Sequence, residues 1–424
     1  MINIQKLKSP ILAVVLLIAT SCSLLAQDRN DWTRFRGPNG TGVAEDLSLP
    51  SDPMAAVAWR ASLPGTGHSS PVVWNDHLYV ESGDSQTGQQ TLHCINATTG
   101  KELWKRSIDF EEYHIHNRNS HGSSTPTVDE TGVYIAWGSA GQNKLSKFRH
   151  DGEPVWQKNI GGYQCNHGSA FTLVVVDDFV ICPMLEEPPR DGKSEWEIQA
   201  RVLALDRMTG DIKWTVERGD GKASFCTPCV YGRGSDRELV FCNTVDGMFS
   251  LNPNDGSENW SLPVFKLRTV SSTVIAGDLL VGTCGSGGGG NYLVAVRPGT
   301  EPEEVFRVRQ QAPYVPTPVF KNGLLFLWGD RGVASCISAE TGELHWRERI
   351  GDSASSSPIC VGNHFVGITD GGEVHMIDAS KEYNLAHKFS LGTTTRATPA
   401  AANGHIYFRT ENELIAIKGS PNRH

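Results

Sequence analysis

The sequence predicts an all-β protein, an eight-bladed β-propeller in which four-stranded antiparallel blades form a closed ring. Two observations carry this prediction. Apolar runs of about 4–6 residues alternate with turns rich in Gly, Asn and Asp, as an antiparallel meander requires. The pattern also recurs with a period near forty, because Pro318, Pro358 and Pro399 open three successive units and lie 40 and 41 residues apart.

The unit from Tyr314 to Ile350 shows the pattern best, with four apolar runs separated by the turns KNG, DRG and ETG. Eight such units can be counted, and the eighth stops after three strands, at Lys418. One spare strand, Ala56 to Leu63, precedes the first unit. We expect this N-terminal strand to complete the eighth blade, because ring closure removes the free edges of the sheets.

The expected organisation has four parts. They are a signal peptide over residues 1–26, an N-terminal strap and linker over 27–54, the propeller over 55–419 and a tail over 420–424. Residues 31–43, DWTRFRGPNGTGV, are rich in Gly, Arg and aromatic residues and have no strand period. We expect them to cross the propeller as an ordered strap anchored by Trp32 and Phe35.

The N-terminus has the pattern of an export signal. Lys6 and Lys8 precede an apolar run over residues 11–19 that is too short to span a membrane. Cleavage after Ala26 would give a periplasmic or secreted protein. Lipidation of Cys22 would instead give a membrane-anchored lipoprotein. We expect the first of these two routes.

Composition limits the classes of partner. The chain has 424 residues, of which 39% are hydrophobic, and a formal net charge of −9. A net negative charge argues against broad electrostatic binding to nucleic acid or to anionic lipid. We therefore expect a protein partner or a small polar ligand in the periplasm, and membrane contact only through a lipidated Cys22. The CxxC formed by Cys226 and Cys229 aligns with the first strand of a blade and has no second CxxC to complete a zinc site.

The ends of the blades share a motif, in which an apolar pair and a glycine-containing turn precede a tryptophan. INATTGKELW, LDRMTGDIKW and ISAETGELHW show it best. These units resemble the repeat of the PQQ-like (quinoprotein-like) β-propeller family, where PQQ is pyrroloquinoline quinone. Together with the FRGPNG segment, they also resemble secreted PQQ-like propeller proteins of planctomycetes. The resemblance covers about residues 56–418. It implies that the tryptophans dock onto the turn of a neighbouring blade: Trp59, Trp104, Trp156, Trp214, Trp260 and Trp346.

Candidate binding residues come from the segments that lead into the first strand of each blade, nearest the central axis. Those segments contain His68, His121, Asn166, His167, Phe225, Arg268, Tyr314, Ser353 and Arg396. We expect repeat geometry to gather them at one mouth of the channel. There they can bind an anion, a sugar or a metal, or they can simply satisfy exposed backbone groups. The ligand-binding prediction is His68, His121, Asn166, His167, Arg268, Tyr314 and Arg396, and no metal ligand is assigned.

Two insertions break the period, at residues 109–121 and 186–199. In repeat proteins, insertions map to loops on one face, often the binding face. We expect both insertions to be loops on one face of the propeller, and His114 and His116 of the first can join the residues at the channel mouth.

The resemblance implies two functional classes. Quinoprotein dehydrogenases bind PQQ in the channel beside calcium or a lanthanide, with an aspartate as base. This sequence has no adjacent cysteine pair and no CxxCH, and no aspartate matches that base. The assembly lipoprotein of the β-barrel assembly machinery is a non-catalytic propeller of similar length. We predict an exported, non-catalytic propeller that binds a protein partner or a small polar ligand at the channel mouth. The alternative is a PQQ-dependent alcohol or sugar dehydrogenase, which would hold PQQ and calcium. Apart from this alternative, no cofactor is assigned, and no catalytic residue is assigned in either case.

Overall fold

The computed structural model describes most of the chain beyond the leader. The described residues are 31–162, 165, 167–185, 187, 200–219, 221–287 and 289–421. The predicted signal peptide, Cys22, Asn166 and nearly all of the insertion at 186–199 lie outside them. Within the described part, the helical elements are two 3-10 turns, Pro38–Gly40 and Gly234–Asp236. None of the helices described there has the length and apolarity to cross a bilayer.

Eight four-stranded antiparallel blades confirm the predicted architecture. Blades 1 to 4 comprise Val72–Trp74, His77–Asp84, Gln89–Asn96 and Glu102–Asp109; Thr127–Asp129, Gly132–Trp137, Asn143–Phe148 and Pro154–Gly161; Val174–Val176, Phe179–Met184, Arg201–Asp206 and Ile212–Glu217; and Cys229–Tyr231, Glu238–Cys242, Met248–Leu251 and Glu258–Leu262.

Blades 5 to 8 follow the same order from the innermost to the outermost strand. They comprise Val274–Ala276, Leu279–Ser286, Gly289–Arg297 and Glu303–Val308; Val319–Lys321, Leu324–Gly329, Val333–Ser338 and Leu344–Arg349; Ile359–Val361, His364–Ile368, Glu373–Asp378 and Leu385–Ser390; and Ala400–Ala402, His405–Arg409, Glu413–Lys418 and Val57–Ser62. Three short strands complete the described chain: Val43–Ala44, Leu47–Ser48 and Ser420–Pro421.

The N-terminal strand closes the ring, as predicted. Val57–Ser62 pairs with Glu413–Lys418 as the outermost strand of blade 8, with Trp59 opposite Ala416. A second contact between the two ends of the chain lies nearby, where Leu47–Ser48 pairs with Ser420–Pro421. The ring therefore cannot open without breaking pairing between the beginning and the end of the domain.

The core consists of layers between neighbouring blades. A middle strand such as Leu324–Gly329 is buried along its whole length, because the blades on both sides cover its two faces. The outermost strands instead alternate between exposed and half-buried residues, as Glu102–Asp109 does. This difference explains why the sequence shows apolar runs for the inner strands and charged, alternating segments for the outer ones.

The predicted tryptophan docking is present at five blade junctions. In each of them, the indole N–H donates to a backbone carbonyl of the next blade: Trp59 to Ala97 (3.0 Å), Trp104 to His150 (2.8 Å), Trp156 to Arg207 (3.1 Å), Trp214 to Pro253 (3.1 Å) and Trp346 to Ser380 (3.0 Å). Gly100 shows why the turn needs glycine. Its φ is +73°, and an added Cβ would lie 2.7 Å from the Trp59 ring. Phe306 occupies the equivalent place against Gly342.

Trp260 is an exception to the predicted docking. Its indole N–H donates to Glu238 Oε2 at 2.8 Å, within its own blade. The turn of blade 5 has a different backbone, with Gly299 at a φ of +153° and no atom within 4 Å of an added Cβ. The buried Trp260 ring still belongs to one apolar cluster with Val294 and Val296 of blade 5, so the difference lies in its N–H, which bonds inside blade 4.

A belt of hydroxyl groups around the channel was not predicted from the sequence. At six of the eight junctions, a backbone N–H of one blade donates to a Ser or Thr hydroxyl of the next: Ser70 to Thr125, Thr227 to Ser272, Ser272 to Thr317, Thr317 to Ser357, Ser357 to Thr398 and Thr398 to Ser70. These distances are 2.9–3.2 Å. The belt explains why Ser or Thr so often precedes the proline that opens a unit.

The strap contacts the innermost strands of several blades at one end of the channel. Trp32 pairs with Val73 of blade 1, and Arg34 donates to the Pro228 carbonyl of blade 4 at 2.9 Å. Arg36 is fully buried and donates to the Pro318 carbonyl of blade 6 at 2.8 Å. Val43–Ala44 then runs parallel to the innermost strand of blade 7. One segment thus ties together blades on opposite sides of the ring.

Candidate functional site

The opposite end of the channel, where the chain leads into each first strand, contains a cavity of about 650 Å³. In blade 1, the strap contacts Val73, which lies within the innermost strand. The cavity is instead lined by His68, which lies in the segment before that strand. Six residues singled out in the sequence line it: His68, His167, Phe225, Arg268, Tyr314 and Arg396. We call this cavity the mouth cavity.

Two of the predicted residues, Ser353 and His121, are placed differently, and the structure does not describe a third. Asn166 lies outside the described residues. Ser353 does not line the mouth cavity but donates from its Oγ to Asp370 Oδ2 at 2.9 Å, and Ser355 takes the place at the wall. His121 packs beside the rings of Phe110 and Tyr113, at centroid distances of 4.6 and 4.9 Å. The expectation that His121 faces the mouth is therefore wrong, and burial lowers its pKa.

The insertion at residues 109–121 contributes His116, Arg118 and Asn119 to the wall of the mouth cavity. Arg118 reaches from this insertion across to blade 7, where its Nη2 lies 2.7 Å from Asp370 Oδ2 and 2.8 Å from Ser355 Oγ. Asn119 Nδ2 donates to the His167 carbonyl at 2.7 Å. The insertion therefore reaches across the mouth cavity from blade 3 to blade 7. Its polar partners were not predictable, because the chain positions they join are 252 residues apart.

Arg268 organises one side of the mouth cavity. Its Nη2 forms an ion pair with Glu187 Oε2 at 2.6 Å, and its Nη1 lies 3.0 Å from each ring nitrogen of His167. His116 stacks on His167 with a centroid distance of 5.1 Å. Burial raises the pKa of the neighbouring Tyr314 hydroxyl, and the Arg268 guanidinium opposes that shift. This side of the cavity is thus a connected set of polar side chains from blades 3, 5 and 6.

Arg396 and His68 form the other side. Arg396 Nη1 lies 3.5 Å from His68 Nε2, and Arg396 Nε lies 4.0 Å from Asp370 Oδ2. Burial, together with the positive charges of Arg409 and Arg396, lowers the pKa of His68 to about 3. His68 is consequently neutral at physiological pH, so the cations on this side are the arginines.

Acid should destabilise the protein partly through His68. Between pH 6.5 and about 3, the folded state keeps His68 neutral while the unfolded chain protonates it. Unfolding therefore takes up a proton, and stability falls as the pH decreases through that range. In His68→Asn, urea unfolding at several pH values should show a proton uptake smaller by up to about one per molecule. An unchanged pH dependence would show that His68 is protonated in the folded state.

Over the part of the chain that the structure describes, the charges around the mouth cavity have a positive excess. The cations at its wall are Arg118, Lys222, Arg268 and Arg396. Among the described residues, the carboxylates that pair with them are Glu187 and Asp370. A chain with a net charge of −9 thus concentrates positive charge at one site. Phe225 and Tyr314 add flat apolar surface, so the site has the chemistry to bind an anion with an apolar or planar body.

The repeat, the blade number and the docked tryptophans together define a PQQ-like β-propeller. Residues 52–215, 88–306 and 303–420 match the family model described as outer membrane protein assembly factor BamB. These matches cover most of the chain. The chain therefore belongs to this family of PQQ-like propellers, and the expected family is confirmed.

Individual relatives are distant. The chain is 23% identical over 225 residues to the outer membrane protein assembly factor BamB of Shewanella oneidensis, which is 53% of this chain and 50% of that protein. The match thus spans about half the length of this curated relative. Similarity at this level does not transfer binding residues or partners.

Solved structures agree on the fold. A europium-containing methanol dehydrogenase superimposes with a TM-score of 0.71 at 11% identity, covering 91% of each chain. BamB from Moraxella catarrhalis superimposes with a TM-score of 0.60 at 11% identity, covering 88% of this chain and 99% of that one. Both an enzyme and an assembly factor share this architecture, so the fold does not choose between catalysis and binding.

Proposed function

We propose that this protein is an exported, non-catalytic binding propeller whose mouth cavity holds a small polar ligand with one or more anionic groups. The observation that carries the proposal is the convergence of Arg118, Lys222, Arg268 and Arg396 on one cavity of about 650 Å³. That volume falls within the range of about 300–1,000 Å³ typical of small-molecule sites.

Guanidinium groups suit this task because they donate two parallel hydrogen bonds to a carboxylate or phosphate. Arg268 and Arg396 line the cavity, and they come from the segments that lead into blades 5 and 8. Their carboxylate neighbours fix the direction in which they point, with Glu187 orienting Arg268 at 2.6 Å. A ligand can therefore add to groups already held in place, which lowers the entropic cost of binding.

A protein partner is the other expected occupant, and the description of the family as an assembly factor supports it. A concave cavity with a few convergent charges suits a small ligand better than a protein face, which needs a contact area of about 800 Å² on each partner. We therefore place the small ligand first.

A quinone cofactor fits the site only in part. Arginines at the mouth can receive the carboxylates of PQQ. The calcium beside it takes about 6–8 oxygen ligands, but the described carboxylates that pair with the cations at the mouth are Glu187 and Asp370, which come from different blades and form ion pairs with Arg268 at 2.6 Å and with Arg118 at 2.7 Å. This mismatch favours binding without quinone chemistry.

Export is the compartment that the N-terminal pattern predicts, and it belongs to the same proposal. Intact-mass measurement of protein from the periplasmic fraction should show a chain that begins after Ala26. A mass that includes a lipidated Cys22 would instead establish an anchored form.

A matched set of probes tests the proposed function. Calorimetric titration of the purified mature protein should detect saturable binding of at least one anion among citrate, glucuronate, phosphate and PQQ. The uncharged sugar glucose serves as the control for glucuronate. Affinity for the anion should fall with added salt, because salt screens partly exposed charges. Binding of glucose as tight as glucuronate, or of none of the anions, would contradict the proposal.

A further inference from the structure

We propose that Cys165, His167 and Glu187 form a binding site for a divalent transition metal, with Zn²⁺ the best match, at the edge of the mouth cavity. The Cys165 Sγ, a ring nitrogen of His167 and a carboxylate oxygen of Glu187 all lie within 4.8 Å of one another. The sequence did not suggest this set, because Glu187 is twenty residues from His167 and belongs to an insertion without strand period.

The donor atoms match zinc chemistry. Thiolate, imidazole and carboxylate are the ligands that Zn²⁺ takes in proteins. One thiolate and one carboxylate neutralise the charge of the ion, while the imidazole binds as a neutral ligand. Three protein ligands leave a fourth coordination position for water or a bound molecule, as in zinc sites that are open to solvent.

Cys165 differs from the other cysteines of the described chain. Of the nine that the structure describes, eight are buried and Cys165 is only partly so. The blade-core cysteines behave as small apolar side chains, whereas Cys165 lies in the lead-in to blade 3, beside a histidine and a carboxylate. Of the described cysteines, it is the one grouped with other metal-ligating side chains.

One blade positions all three ligands. Cys165 and His167 lie in the lead-in to blade 3, where the His167 N–H donates to Cys165 Sγ at 3.4 Å and Sγ lies 3.9 Å from His167 Nδ1. Glu187 follows the second strand of the same blade, Phe179–Met184. Bonds of about 2.0–2.3 Å to a tetrahedral zinc place ligand atoms about 3.3–3.8 Å apart. Metal binding therefore requires a contraction of about 1 Å within one blade.

In the metal-free site, the positive charge next to Glu187 and His167 is the guanidinium of Arg268. Its guanidinium lies 2.6 Å from Glu187 Oε2 and 3.0 Å from the ring nitrogens of His167. A metal and this guanidinium compete for the same two side chains. When the metal binds, Arg268 is released towards the mouth cavity, which it also lines. This last step rests on the proposed function, but metal binding itself does not.

Cobalt titration tests the site directly. Metal-stripped wild-type protein should bind one Co²⁺ per chain, with a thiolate-to-cobalt charge-transfer band in the near ultraviolet that Zn²⁺ displaces. Cys165→Ser should abolish that band. His167→Ala and Glu187→Gln should each weaken Co²⁺ binding by more than about 100-fold, the upper range for loss of a group that only supports a ligand. His387→Ala, on the outermost strand of blade 7, controls for loss of an imidazole elsewhere and should leave the titration unchanged.

Arg268→Gln supplies a test of opposite sign. Without the competing guanidinium, Co²⁺ should bind more tightly than to the wild type, whereas anion binding to the metal-free protein should weaken. The site is overturned if Co²⁺ binding does not saturate, if the charge-transfer band survives in Cys165→Ser, or if Arg268→Gln weakens Co²⁺ binding. Failure of the anion titration alone contradicts the proposed function and leaves the metal site standing. Thermal unfolding of each metal-free variant establishes that it is folded.

Discussion

Replacing Trp59 by alanine is expected to lower the free energy of unfolding by about 3–5 kcal/mol, the range for removal of a large buried aromatic side chain. Trp59 is 9% exposed and lies in the strand that closes the ring. It packs on Gly100 of blade 1 and donates to the Ala97 carbonyl at 3.0 Å. Its loss leaves a gap where the two ends of the propeller meet, and urea unfolding followed by circular dichroism would measure the change.

Two variants make this prediction sharper. Leu103→Ala changes a side chain that is 45% exposed on the outermost strand of blade 1, and we expect a change within about 0.5 kcal/mol. Gly100→Ala places a Cβ 2.7 Å from the Trp59 ring at a φ of +73°, so it should also destabilise the protein. Because both residues form one contact, the effects of Trp59→Ala and Gly100→Ala should not add in the double variant. Near-wild-type stability of Trp59→Ala would contradict ring closure by this contact.

The second large effect is expected on ligand binding. Arg268→Gln combined with Arg396→Gln should weaken the binding of any anion detected in the wild type by about 100-fold or more, since truncating one partner of a desolvated charge pair costs about 2–5 kcal/mol. Both guanidinium groups line the mouth cavity, and both come from positions between the blades rather than from their cores. Calorimetric titration of the metal-free protein would measure the loss.

A charge-matched control separates a local site from overall electrostatics. Arg60→Gln with Arg237→Gln removes two arginines that form exposed ion pairs with Glu413 and Asp177, away from the mouth cavity. This control should change anion affinity little, because exposed charges are screened by salt. Equal losses in the two double variants would show that the anion responds to net charge and not to the mouth cavity.

The repeat made the fold predictable from the sequence. Each blade repeats the same spacing of apolar runs, so the number of units and the missing strand could both be read from the chain. Residues that pack within one repeating contact were also predictable, as Trp59 and Trp104 show. Trp260 was not, because the turn that should receive it, at Gly299, departs from the repeat.

The site was predictable only where it follows the repeat. His68, Phe225 and Arg396 each lie two residues before the belt residue of their blade, which is Ser70, Thr227 or Thr398, so their convergence follows from the symmetry of the ring. Arg118 and Glu187 come from the two insertions, whose path over the mouth no period specifies. Their contacts with Asp370 and Arg268 join segments 252 and 81 residues apart, and such pairs become visible only in the folded chain.

The central claim is that the mouth cavity binds an anion without quinone chemistry. The most direct test is a titration of the purified mature protein with PQQ, with and without Ca²⁺. Absorbance and thermal shift report the binding of PQQ, and dye reduction in the presence of alcohols and sugars reports their oxidation. We predict that Ca²⁺ does not increase PQQ affinity and that no dye is reduced above the level of the Arg268→Gln and Arg396→Gln double variant. Calcium-dependent PQQ binding together with dye-linked oxidation of an alcohol or a sugar would contradict the claim and identify an oxidoreductase.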